Sequence, residues 1–163
     1  MALRRKTPLR AKAKPKSKFE ISEIKTPTRR ASRSTLMSNA DNAFSLFIRT
    51  RDSQAYQGKA FKCISCGRVL SIDQADNGHY VNRRHMSLRF NELNCNAQCR
   101  SCNRFDEGNI QGYRKGLIEK IGESKVLMIE ASKNVENKIS SFELENLAKF
   151  YKAETKKFTY QIK

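Results

Sequence analysis

Apolar residues recur at three- and four-residue spacing in separate stretches of the chain, and a long segment between them breaks that rhythm. Leu36, Ala40, Ala43, Phe44, Phe47 and Ile48 predict a helix over 35–50, with Ser34 or Thr35 as its cap. Beyond Gly108 the spacing returns: Ile110, Tyr113, Leu117, Ile118 and Ile121 mark one helical face, which Gly122 is placed to stop. A short helix is expected around 125–132. A last one starts near Ser140, where Ser140-x-x-Glu143 fits a capping box, and carries Phe142, Leu144, Leu147, Phe150 and Tyr151 to about Lys157. These stripes read as core. In 56–103, Gly, Cys, Asn and Asp are frequent and apolar runs are short. That segment predicts knuckles and short hairpins held by metal more than by a large core. No internal repeat is visible.

Charge changes the picture at the N-terminus. Residues 1–33 hold twelve Lys or Arg against Glu20 and Glu23, a net of +10 out of +17 for all 163 residues, together with all three prolines. So few large apolar residues cannot offset the entropy of ordering, so a disordered basic arm is expected there. An excess of positive charge this large calls for a polyanion, and nucleic acid is the favoured partner. Nothing approaches the roughly 20 apolar residues needed to cross a bilayer, and no hydrophobic stretch follows the basic start as in a secretory signal. A cytoplasmic protein is the expectation.

Four of the five cysteines fall into two pairs, Cys63-Ile-Ser-Cys66 and Cys99-Arg-Ser-Cys102, with 32 residues between them. Each pair can point two thiolates at one ion, and two pairs complete the tetrahedral shell of a structural zinc. Gly67 suits the tight knuckle turn. With no export signal, a metal is expected rather than disulfides. Cys95 is left over and reads as a buried free thiol or, less simply, a spare ligand.

Both histidines of the chain lie between the pairs. Asp76-Asn77-Gly78-His79-Tyr80 puts a carboxylate three residues before an imidazole; Asn94, Asn96 and Asn103 follow. Phosphodiester hydrolysis needs a base for water and a cation to neutralise developing charge. A near-neutral histidine suits the first task, and hard oxygen ligands for magnesium or manganese suit the second.

In that order the residues resemble the phage lambda NinG (Rap) family of recombination endonucleases, within the wider HNH or ββα-metal nucleases. The stretches that carry the resemblance are Cys63–Gly67, Asp76-x-Gly78-His79-Tyr80, Leu88–Glu92, Asn94, Gln98-Cys99-x-x-Cys102-Asn103, Gly108-Asn109 and Tyr113-Arg114; the helix ending in Phe47-Ile48-Arg49-x-Arg51-Asp52 also fits. The resemblance implies an α+β fold, a zinc-stapled HNH-like module over 56–108 flanked by a helix over 34–54 and C-terminal helices over 109–163. It implies His79 as general base, Asn94 as the middle Asn that orients the loop or the base, and Asn103 at the helix position that contacts the Mg²⁺ or Mn²⁺. Asp76 is the preferred carboxylate ligand, because Gly78 stands where such enzymes usually have one. Asn96 is a substitute ligand or no ligand, and His85 reads as surface or DNA-contacting.

Arg83, Arg84, Arg89, Arg100 and Arg104 surround this stretch and can pair phosphates, with Arg89 and Arg100 the preferred two. The expected activity is cleavage of branched DNA, a Holliday junction or D-loop, in the company of recombination proteins; symmetric cutting would favour a homodimer. The competing expectation is a non-catalytic zinc-containing DNA- or RNA-binding protein.

Overall fold

The computed structural model describes residues 31–160. Of the basic arm read over 1–33, all but the last three residues lie outside the described residues. Helix α1 spans Arg33–Ser53, so Arg33 belongs to the helix and not to the arm. Its cap is Ser32, whose side chain accepts from Thr35 N at 3.2 Å, earlier than the expected Ser34 or Thr35. After it come β1 (Ala60–Lys62), β2 (Val69–Ser71), β3 (Ala75–His79) and β4 (Cys95–Cys99). One turn of π-type helix over Ser101–Phe105 leads to α2 (Ile110–Ile121), α3 (Glu123–Ala131) and α4 (Ser141–Tyr160). The fold is a mixed α+β arrangement of short sheets and helices.

The two ladders are antiparallel and separate. β1 pairs β2 with Phe61 opposite Leu70, and β3 pairs β4 with Asp76 opposite Gln98 and His79 opposite Cys95. β4 is buried at every position: α1 packs on β3 and β4, and β1 also lies against β4.

Three apolar clusters hold the parts. The largest joins the predicted α1 stripe to Leu144, Ala148 and Tyr151 of α4, with Phe44 and Tyr151 rings 4.7 Å apart. Phe142 and Phe150, expected in that stripe, are 72% and 51% exposed; the buried face runs Leu144, Ala148, Tyr151, Thr155, and the two phenylalanines lie off it. A second cluster gathers Val81, Leu88, Tyr113, Leu117, Val126 and Ile129. The third, around the cysteines, is small: half of its six buried residues are cysteines.

α2 ends at Gly122 as expected (φ 85°). The capping box at α4 is formed: Ser140 N donates to Glu143 Oε2 at 2.6 Å, and Glu143 N to Ser140 Oγ at 3.2 Å.

Candidate metal centre and cleft

The four paired cysteines converge. Their Sγ atoms all lie within 4.8 Å of one another, and the Cys66–Cys99 pair is 3.9 Å apart. Zn–S bonds of about 2.3 Å in a tetrahedron imply S···S edges of roughly 3.8 Å, so the cluster has the size a zinc-like ion needs. The knuckle closes through Gly67 N donating to Cys63 O at 2.9 Å, with Gly67 at φ 71°, where a side chain would be strained. Further donors face the sulfurs: Cys99 N to Cys63 Sγ at 3.3 Å, Arg68 Nε to Cys66 Sγ at 3.4 Å, Asn109 Nδ2 to Cys102 Sγ at 3.6 Å. Burial opposes ionisation of Cys66, but the Arg68 guanidinium and backbone N–H, with the Cys63 and Cys102 thiols, together outweigh it and bring this thiol down to about 6. These four residues could hold a metal ion such as zinc. Cys95 is not among them. It faces the α1–α4 cluster, and burial pushes its thiol well up, as for a structural free cysteine.

α2 rests directly on the knuckle. A Cβ at Gly116 would lie 2.0 Å from Ile64 O, and one at Gly112 2.5 Å from Ser65 O, so only glycine lets the helix approach so closely.

On another face, Asp76, His79, Asn103 and Arg104 line one polar cleft of about 580 Å³, along with Asn77, Arg83 and, from α1, Asp41, Asn42 and Ser45. His79 ends β3, and its Nε2 lies 3.1 Å from Arg89 O. A carbonyl only accepts, so Nε2 carries the proton and Nδ1 keeps its lone pair. Burial lowers the imidazole below its ordinary value; the Arg89 carbonyl works against this and the Arg83 charge reinforces it, so the ring is neutral at pH 7. Asp76 takes two bonds of 2.7 Å from Arg104 and one of 3.1 Å from Asn103 Nδ2. Burial would raise this carboxyl, but those donors hold it below the usual range. Asn77 Oδ1 is the one buried side-chain polar atom without a partner among the described residues.

Other expected site residues stand elsewhere. Asn94 is fully buried under the 80–94 loop: it accepts from Val81 N at 2.8 Å and donates to Val81 O and Leu88 O at 2.9 and 3.1 Å. It orients that loop and does not face the cleft. Asn96 is turned to the far side, bonded to Lys120 Nζ at 2.7 Å and Tyr113 Oη at 3.2 Å beside the Arg51–Asp52 pair. Arg89, one of the two arginines preferred for phosphate, is paired with Asp41, its side chain only 16% exposed, so its guanidinium is engaged within the protein. Arg83, Arg84 and Arg100 are exposed; Arg84 donates to His85 Nε2 at 3.3 Å, and Arg100 to Asp73 O at 2.6 Å. At Gly78 a Cβ would come within 2.3 Å of Gln98 Oε1, so the space beside this residue is filled by the Gln98 side chain.

The α1 contribution to the cleft was not foreseen. Its only sign in the sequence is the polar run Asp41-Asn42 interrupting an apolar stripe, a pattern shared by any surface helix.

A family model described as "Bacteriophage Lambda NinG protein" matches residues 2–160. "Protein ninG" of Escherichia phage lambda is 41% identical over 103 residues, covering 63% of this chain and 47% of the relative. "Protein ninG" of Salmonella phage P22 is 41% identical over 100 residues (61% and 46%), and that of Escherichia phage 933W 40% over 103 residues (63% and 48%). The chain therefore spans about half the length of the curated relatives it matches. No solved structure matches it. Among the described residues, no helix is long and apolar enough to cross a membrane.

Proposed function

We propose that this chain, which belongs to the bacteriophage lambda NinG family, is a metal-dependent endonuclease acting on branched DNA in the cytoplasm of a bacterial host. The observation that carries the reading is the convergence of a neutral His79, with an unshared Nδ1 lone pair, and the Asp76–Asn103 pair on one cleft. The order β3, β4, helical turn supports membership of the ββα-metal nucleases, with His79 on the first strand and Asn103 on the turn.

Two metals have separate tasks in this account. Cys63, Cys66, Cys99 and Cys102 would hold a structural Zn²⁺ through four thiolates, a donor set that would leave no open position for chemistry. A hard divalent cation, Mg²⁺ or Mn²⁺, would be held by Asp76 and Asn103 and would supply charge neutralisation at the leaving oxygen. The donor set fits, since such cations usually take one or two carboxylates with substrate phosphates and water. Arg104, paired with Asp76 and exposed at the cleft, would turn to a phosphate when a cation takes the carboxylate.

His79 Nδ1 takes a proton from water as its oxygen bonds to phosphorus. The opposite P–O3′ bond breaks with its electron pair going to O3′, which takes a proton from solvent water while His79 returns its own to solvent, leaving 5′-phosphate and 3′-hydroxyl ends. Arg83 and Arg104 at the cleft, with Arg84 and Arg100 nearby, grip phosphates without reading sequence, as selection by DNA shape requires. Holliday junctions or D-loops are the substrates, with recombination proteins as partners and a homodimer as the form suited to symmetric cutting.

The second reading is a non-catalytic zinc-containing DNA- or RNA-binding protein. It draws on the Asp76–Arg104 pair, which engages both carboxylate oxygens. His79→Ala separates the two. The nuclease reading expects unchanged affinity for a labelled four-way junction and cleavage lower by about 10²-fold or more; unchanged cleavage removes His79 from the mechanism.

A further inference from the structure

The 80–94 segment joins β3 to β4 without a strand or α-helix of its own. A loop of that length is usually functional, and its shape must be fixed by side chains. Asn94 secures it at Val81 and Leu88. A second anchor is independent of the first. Arg89 reaches out of the loop to α1, where Nε meets Asp41 Oδ1 at 2.9 Å and Nη2 meets Oδ2 at 2.5 Å. The same guanidinium donates through Nη1 to Arg83 O at 3.2 Å, tying the loop across itself. The backbone carbonyl of this clamped residue is the one that accepts from His79 Nε2.

We propose that Asp41 and Arg89 are positioning residues for His79: α1, an element outside the strand–strand–helix module, holds the carbonyl that fixes which imidazole nitrogen is free. For cleavage this rests on the nuclease reading above; for the histidine's tautomer it does not.

The chemistry is simple. An imidazole in water exchanges between two tautomers, and only one leaves Nδ1 able to accept a proton. A carbonyl placed on Nε2 selects that tautomer and aims the ring. Its aim depends on Arg89's backbone, and a bidentate guanidinium–carboxylate pair fixes direction as well as distance. Arg89 is poorly suited to DNA: its side chain is 16% exposed and three of its nitrogens are engaged within the protein. The clamp also gives a reason for Asp41 to line the cleft of a protein expected to bind phosphates, where a free carboxylate would repel them.

The test uses Asp41→Ala, Arg89→Ala and the double variant of the full chain. Long-range ¹H–¹⁵N spectra report the protonated nitrogen of each histidine, and with only two in the chain a His85→Ala variant assigns them. The wild type is expected to show His79 protonated at Nε2 alone. Each single variant is expected to show a mixture of tautomers, with the thermal transition still cooperative because Asn94 keeps its three bonds. Cleavage of a labelled four-way junction should drop about 10²-fold in each, as for a misplaced catalytic group. The double variant should be no worse than the singles, as expected for two parts of one device. Junction affinity should not fall in Asp41→Ala. A purely structural ion pair would lower stability and leave the tautomer alone; that result, or weakened binding in Arg89→Ala with normal cleavage in Asp41→Ala, overturns the proposal. A wild type that cuts no junction, yet whose His79 tautomer depends on Asp41, would sink the nuclease reading and leave the clamp standing. Should Arg89→Ala fail to fold, Arg89→Lys keeps the charge without the bidentate fork and is expected to give the same loss of tautomer selection.

Discussion

Gly116→Ala sets two physical effects against each other. In an exposed helix the change stabilises by about 1 kcal/mol, because alanine loses less backbone entropy. Here the new methyl would lie 2.0 Å from Ile64 O and 3.1 Å from Ile64 C. Real Cβ contacts are essentially never under 3.0 Å, so helix and knuckle must part by about an ångström. The knuckle resists: Ile64 N donates to Ala97 O at 3.1 Å, Cys63 N to Arg68 O at 2.8 Å, and Cys63 itself carries one of the four sulfurs. Overpacking of this kind costs roughly 1–3 kcal/mol, and against backbone tied to a metal centre the upper end applies. The net is a destabilisation of about 1–2 kcal/mol, or roughly 3–8 °C in Tm for a domain of this size. Gly112→Ala, where the nearest backbone oxygen is Ser65 O at 2.5 Å, should lose less. Thermal melts followed by circular dichroism on zinc-loaded protein measure both. A Tm that rises by a few degrees in Gly116→Ala would mean that α2 does not sit on the knuckle, and the account of how the cysteines are brought together would fail with it.

Other outcomes follow from the same contacts. Asn94→Ala strips partners from Val81 N, Val81 O and Leu88 O in a fully buried site and should cost about 2–4 kcal/mol in urea melts; Asp at that position cannot donate to the two carbonyls and should rescue little. Metal analysis should return one tightly held zinc per chain, and Cys99→Ser or a strong chelator should remove it and collapse the strand region, whose small core is half cysteine; a metal-free chain with unchanged melting would contradict this. His79 is held below its ordinary 6.5, so the unfolded chain takes up the proton first. Its contribution to stability is therefore complete above pH 6.5 and lost as pH falls through the lowered folded value, a pH dependence that His79→Gln should abolish.

The helices were legible because burial writes a period into the sequence. The α1 stripe, the Gly122 stop and the Ser140–Glu143 box need only local chemistry, and each is found where the residues place it. Periodicity failed where a helix carries more apolar residues than it can bury: Phe142 and Phe150 fit the rhythm of α4 yet face outward. The sulfur cluster was legible from spacing, since each pair has only one useful geometry. The cleft was legible only in part. Asp76, His79 and Asn103, read in order from the sequence, line one cleft, but the Arg89–Asp41 pair joins residues 48 apart in sequence. Asn96, read as a substitute ligand or no ligand, likewise bonds to Lys120 and Tyr113, partners supplied by α2. Such long-range pairings leave no local trace.

The most direct measurement is end analysis of a labelled four-way junction incubated with the zinc-replete 163-residue chain, with and without added Mn²⁺ or Mg²⁺. Paired nicks near the branch point that require the added cation and carry 5′-phosphates are the predicted result. Intact junction strands at saturating protein and cation, with the zinc still bound, would contradict it and leave a DNA-binding protein without catalysis.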